Sequence, residues 1–234
     1  MKIVIYLYNG MTALDAIGPY EVLRNIKDAE IIFAARKKGT ITADSQMLHF
    51  QAKHKIDDIE EADILLIPGS TVAFIKEAKN DKLLEWIRMI DQHSRFTTSV
   101  CTGSIILAAS GLLKTKKATS HWKPLNMLKQ YEAIPTKERM MRQGKYITAA
   151  GVSAGIDMAI YLVNEVEGET AAKAAQLAIE YDPQPMYDAG NVDRCGEDVI
   201  ALAEEKMEEG AKKELSMWDI LTNARSLRKL KNSE

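Results

Sequence analysis

The chain carries only two cysteines, Cys101 and Cys195, in 234 residues, too few for a disulfide framework. The short apolar start Met-Lys-Ile-Val-Ile-Tyr-Leu-Tyr has no small-residue cleavage site after it. Together these point to a first strand and a reducing, cytoplasmic setting. The four histidines, His49, His54, His93 and His121, stand far apart. No i, i+4 pair and no Cys-x-x-Cys spacing occurs, so no metal centre is expected. Charge of one sign is also missing. The 31 Lys and Arg residues oppose 33 Asp and Glu, a net charge of -2, which gives no bulk attraction to nucleic acid or to an anionic membrane. No apolar run approaches the roughly 20 residues that span a bilayer. Internal repeats and low-complexity segments are absent as well.

What remains has the composition of a globular chain with a core, 46% apolar and 27% charged. Apolar strand-like runs alternate with helical patterns, the signature of a mostly parallel sheet with helices on both faces. Strands are expected at Ile3–Tyr8, Glu30–Ala35, Asp63–Pro68, Arg95–Val100 and Tyr146–Ala149, several of them short and almost wholly apolar, as strands covered on both faces are. Met47–Lys53 and Glu138–Lys145 read as antiparallel additions, the second as a hairpin. A helix is expected to begin at Pro19, where a first-turn proline loses nothing. Leu83, Leu84, Ile87 and Ile90 mark one face of a second helix. Ile156, Ala159, Ile160 and Val163 mark another, with Ser153 as its N-cap. After about residue 190 the composition shifts to charged helix formers. Glu197–Glu209 reads as an acidic helix, and Lys212–Glu234 carries a net charge of +3.

The stretch Phe96-Thr-Thr-Ser-Val-Cys101-Thr-Gly-Ser-Ile-Ile-Leu-Ala-Ala-Ser-Gly111 is the most informative. It runs from a strand into a turn at Cys101 and then into a helix. At such an elbow the sulfur faces the following backbone N–H groups, and the helix dipole favours a nucleophilic thiolate. A buried small hydrophobe is the other reading of Cys101, and spacing alone does not separate the two. Two further loops leave the same sheet edge. Leu14-Asp15-Ala-Ile-Gly18-Pro19-Tyr-Glu21 brings Asp15, either an acid for chemistry or a helix cap, and Glu21, an acid placed in the first helical turn. Ile67-Pro68-Gly69-Ser70-Thr71 brings Gly69 and Ser70, whose backbone N–H groups suit an oxyanion site. Thr102 adds a hydroxyl beside the sulfur. Gly151-Val152-Ser153-Ala-Gly155 opens a helix that walls the same pocket. His121 either pairs with Cys101 or is a buried, satisfied histidine. Cys195 shows no elbow pattern.

These pieces, together with Ala118-Thr-Ser-His121-Trp122 and Leu177-Ala-Ile-Glu180-Tyr181, resemble the ThiJ/PfpI superfamily of glutamine-amidotransferase-like proteins. Within it the chain is most similar to the isonitrile hydratases. The resemblance covers residues 1–190 and implies a flavodoxin-like three-layer α/β sandwich, with 191–234 as a helical extension packed on that domain or on a dimer partner. It implies a homodimer acting on a small molecule without a cofactor, a carbon–oxygen lyase that hydrates an isonitrile to an N-substituted formamide. Cys101 is then the nucleophile, Asp15 its acidic partner and Thr102 an assistant. Gly69, Ser70, Gly18, Val152 and Ser153 are the oxyanion or substrate-binding positions. Ser70 stands where a second glycine is usual, and Thr102 where the superfamily's peptidases carry histidine, which argues against peptidase activity. A glyoxalase or deglycase activity and a non-catalytic ligand sensor are the alternatives. A sensor of the AraC type needs two helix-turn-helix units, for which the chain leaves no room.

Overall fold

The computed structural model describes residues 1–215; the remainder of the basic segment at Lys212–Glu234 lies outside the described residues. Eleven strands occur among them: β1 Lys2–Tyr6, β2 Glu30–Ala35, β3 Gly39–Thr42, β4 His49–Ala52, β5 His54–Lys55, β6 Ile64–Ile67, β7 Phe96–Val100, β8 Lys117–Ala118, β9 Ile134–Pro135, β10 Met140–Gln143 and β11 Tyr146–Ala149. The helices are α1 Ala13–Leu23, α2 Phe74–Glu77, α3 Asp81–His93, α4 Gly103–Ala109, α5 Ala154–Glu167, α6 Glu169–Ala178 and α7 Glu197–Glu214.

Seven strands form the central sheet in the order β10-β11-β7-β6-β1-β2-β5. Every pairing in it is parallel except β10 with β11. β6 and β7 are buried along their whole length, because helices cover both faces of the sheet and leave no side for water. α1 and α5 pack together on one face, while α3 and α4 pack on the other. The fold is therefore the flavodoxin-like sandwich that the family resemblance implies, built on the mostly parallel sheet that the alternation of strands and helices predicts. The additions also form: β10–β11 is the hairpin, and β4 pairs antiparallel with β3 in a small separate sheet. On α3, Leu83, Leu84, Ile87 and Ile90 are buried together.

Since β1 has β2 on one side and β6 on the other, the chain leaves its two middle strands toward opposite faces. The crevice beyond their carboxyl ends is the switch point where α/β sheets bind ligands. The loops after β1, β6 and β7 all open there.

One helix departs from expectation. α1 starts at Ala13, so Pro19 lies in its interior. A proline there cannot donate to the carbonyl of Asp15 four residues back, at a cost of about 3 kcal/mol. The burial of Ala16, Val22 and Leu23 in the core offsets it. Gly18 is explained by the same packing. A methyl group on it would come within 3.0 Å of Ile156 Cγ1 on α5, so this glycine serves helix–helix approach. Glu21 consequently falls in the last turn of α1, half-buried and paired with Arg24 (2.9 Å).

α7 lies against the body of its own chain. Lys123 pairs with Glu204 (3.4 Å) and Glu208 (3.7 Å) on it.

Candidate active site

Cys101 is the first of the two turn residues between β7 and α4, and its φ is 57°. An L-residue in the left-handed region carries strain, and hydrogen bonds on both sides hold it there. Its N–H donates to the carbonyls of Ala149 (3.1 Å) and Ala150 (2.8 Å). Its own carbonyl accepts from the hydroxyls of Ser104 and Ser120, each at 3.0 Å. Gly103 is required one step later, since a Cβ there would lie 2.1 Å from the Ile67 carbonyl oxygen. The elbow is thus wedged against the end of β6.

That wedge brings the Pro68-Gly69-Ser70 turn onto the sulfur. A Cβ on Gly69 would sit 2.5 Å from Thr102 N and 2.8 Å from Cys101 Cβ, so only glycine fits. The Ser70 N–H donates to Thr102 Oγ1, and the Thr102 hydroxyl donates back to the Ser70 carbonyl, both at 2.8 Å. The Gly69 N–H donates to Asp15 Oδ2 at 2.9 Å. Both N–H groups expected to form an oxyanion site are therefore engaged, one by the acid and one by the threonine. Asp15 is no helix cap. The capping position belongs to Thr12, whose N–H is already taken by the Gly69 carbonyl (2.9 Å). The Asp15 carboxyl is left to face inward, with Oδ1 lacking a hydrogen-bond partner.

Asp15 is fully buried and Cys101 only 4% exposed, and their electrostatics follow from that. Burial pushes the Asp15 carboxyl up to about 7, against the Gly69 N–H, which pulls it down, while the nearby charge of Asp44 adds to the rise. Burial also pushes the Cys101 thiol well above its usual range. A charged Asp15 raises it further, and the N–H and hydroxyl of Thr102 only partly oppose this. Burial thus works against the expected thiolate and favours the protonated thiol, beside a carboxyl pushed up to about 7. α4, whose N-terminus opposes this, has only seven residues.

Other expected residues fall outside this cluster. His121 makes no hydrogen bond to Cys101; its Nδ1 accepts from the Lys123 N–H (3.4 Å) and its ring packs on Trp122. Burial, with Lys123 nearby, holds it down at about 4 and therefore neutral. Ser153 occupies the first position before α5, but its hydroxyl accepts from Arg139 (3.4 Å) and caps nothing. Val152 lies in the same half-buried turn, two residues beyond the Ala150 carbonyl that holds the elbow. Cys195 donates to the carbonyls of Ala189 and Asn191 in a distant loop.

Sequence reasoning missed four residues. Ser120 touches the elbow although its neighbour His121 drew notice. Tyr8, buried, donates to the Pro68 carbonyl (3.0 Å). Asp44 accepts from the Thr12 hydroxyl (2.8 Å) and adds charge beside Asp15. Glu214, at the end of α7, reaches Thr71 and Asp44, and burial pushes it up to about 7. A histidine motif is visible in a sequence; an acid arriving from 199 residues away is not.

The sheet, the left-handed cysteine and the convergent loops define a flavodoxin-like protein with a nucleophile elbow. The DJ-1/PfpI family pattern matches residues 1–165, and the chain belongs to that family. It is 34% identical over 207 residues to the isonitrile hydratase of Pseudomonas putida, covering 88% of this chain and 90% of that protein. The crystal structure of a ThiJ/PfpI family protein from Pseudomonas syringae superposes with a TM-score of 0.85 at 34% identity, over 91% of this chain and 88% of the other. Drosophila melanogaster DJ-1beta shares the fold, with a TM-score of 0.69 at 14% identity over 78% of this chain and 98% of its own.

Proposed function

We propose that the protein is a cysteine-dependent hydratase that converts an isonitrile to an N-substituted formamide. The observation that carries this reading is the engagement of both turn N–H groups beside a carboxyl poised to exchange a proton. Acyl-transfer chemistry needs free donors for a developing oxyanion. Addition to an isonitrile develops no oxyanion; it needs a nucleophile and a proton delivered to the same carbon.

The geometry suits that addition. Asp15, as carboxylate, takes the thiol proton as the sulfur bonds to the terminal isonitrile carbon. The protonated Asp15 then returns the proton to that carbon, giving a thioimidate, Cys–S–CH=N–R. Water adds to the C=N bond, the C–S bond breaks, and the formamide and the free thiol are released. One proton shuttles and water is the only co-reactant. A midpoint near 7 lets Asp15 serve both directions. Thr102, tied to Ser70, holds its hydroxyl at the sulfur throughout. The likeness to the Pseudomonas putida enzyme supports the same reading, as does the slim linear head group of an isonitrile, which needs little clearance above a thiol so enclosed. A homodimer in the cytoplasm completes the proposal.

Conversion of a simple isonitrile to its formamide, with Cys101→Ala run alongside, tests it. Turnover in the native chain and none in the variant is the expected result. An intact, reduced protein that leaves isonitriles unchanged but forms lactate from methylglyoxal overturns it in favour of a glyoxalase-type activity.

A further inference from the structure

Tyr8 follows β1 by two residues and is 2% exposed, its ring stacked on Tyr6 with centroids 5.5 Å apart. Its hydroxyl donates to the Pro68 carbonyl at 3.0 Å. The N–H of that same peptide unit belongs to Gly69 and donates to Asp15 Oδ2 at 2.9 Å. One planar peptide is thus gripped at both ends, in the sequence O–H···O=C–N–H···Oδ2. A donor on the carbonyl oxygen draws density from the amide nitrogen through the peptide resonance, so the N–H becomes a better donor. We propose that Tyr8 is a positioning residue for Asp15: acting through the Pro68–Gly69 peptide, its hydroxyl orients and strengthens the N–H that holds the carboxylate form of the acid. The significance of Asp15 as proton carrier rests on the hydratase reading; the coupling itself does not.

The surroundings favour such a device. The groups facing Asp15 are the Cys101 thiol on the elbow and Asp44 from the loop after β3, with Glu214 of α7 facing Asp44 in turn. Behind Tyr8 stands Glu77 of α2, buried and paired with Arg36 (2.8 Å). None of the acids supplies positive charge to Asp15, so its ionised form is favoured first by the peptide N–H of Gly69 and, less, by the Cys101 thiol. Losing the Tyr8 hydroxyl weakens the larger of these favourable contacts while keeping the ring and its packing.

The test is a carbon-13 NMR titration of the aspartate-labelled protein, with the Asp15 signal assigned by its loss in Asp15→Asn. Tyr8→Phe is expected to raise the Asp15 midpoint by about 0.3 to 0.5 pH units, the size of a 10–30% change in a charge-assisted hydrogen bond. Tyr6→Phe is the control. It removes an equally buried hydroxyl that donates to Glu77 (2.8 Å), away from the Pro68–Gly69 peptide, and should leave the midpoint in place. An unmoved midpoint in Tyr8→Phe, or an equal movement in Tyr6→Phe, overturns the inference. Should Tyr8→Phe fail to fold, a fluorotyrosine at position 8, a stronger donor, is expected to lower the midpoint; no lowering overturns it equally. No substrate enters these titrations, so a failed isonitrile assay removes the hydratase reading and leaves the coupling standing, while a failed titration does the reverse.

Discussion

Replacing Asp15 by asparagine should make the protein more stable in alkaline solution even as it removes activity. An unfolded aspartate titrates at 3.8, whereas burial lifts Asp15 to about 7 in the folded chain. The folded state therefore holds the proton more tightly. Below pH 4 both states are protonated and Asp15 costs nothing. As pH rises from 4 through 7 the unfolded chain gives up its proton first, and stability falls until the folded carboxyl has also ionised. Each pH unit between the two midpoints is worth 1.36 kcal/mol, so the full penalty above pH 8 is about 4 kcal/mol. Asparagine has the same shape and still accepts from the Gly69 N–H, yet never carries the charge.

The expected gain of Asp15→Asn at pH 8.5 is therefore about 2 to 4 kcal/mol, allowing for a weaker hydrogen bond to a neutral acceptor. For a chain of this length that is a rise of roughly 10 °C in melting temperature, shrinking to nothing near pH 4. Urea denaturation of both proteins across pH 4 to 8.5 measures it. Glu214 also titrates near 7, so the decline of the native protein alone is not diagnostic; the difference between the two is, because Glu214 is common to both. Equal or lower stability of the variant at pH 8.5 would refute the reasoning, since Asp15 would then be a satisfied carboxylate with no cause to exchange protons near neutrality.

Gly69→Ala places a Cβ 2.5 Å from Thr102 N and 2.7 Å from Thr102 Oγ1. Overpacking against backbone should cost about 3 kcal/mol and push the turn off the sulfur, which chemical denaturation and a turnover assay would register together. Thr102→Val keeps the shape but strips two 2.8 Å hydrogen bonds from Ser70, leaving its N–H and carbonyl unpaired. A loss of about 2 kcal/mol in stability is expected, and an unchanged denaturation midpoint would contradict the lock described between the two loops. Iodoacetamide should alkylate Cys101 in the folded protein far more slowly than a free thiol near pH 7, because the sulfur is buried and protonated; rapid labelling that spares Cys195 would restore the thiolate.

How far the sequence reveals this site depends on which interactions are local. The strand β6 is legible because its unbroken apolar run of four residues has no other comfortable place than the middle of a sheet, and β7, Phe96-Thr-Thr-Ser-Val100, because it is rich in strand-forming residues and runs straight into the cysteine turn. The elbow is legible because Cys101-Thr102-Gly103 compresses strand, turn and helix start into three residues. Pro19 misleads for the opposite reason: its local cost favours a helix start, but burial along α1 is worth more, and burial belongs to the tertiary structure. The surroundings of the thiol are hidden in the same way. A helix dipole can be inferred from sequence, whereas removal of water by Gly69, Ser70 and Thr102 needs all the loops assembled. Gly69 itself makes the distinction sharpest. Its glycine announces that a backbone N–H approaches something, and the sequence leaves open whether that is a substrate oxyanion or a carboxylate of the same chain. The answer is Asp15, and the proposed proton exchange rests on that one hydrogen bond spanning 54 residues.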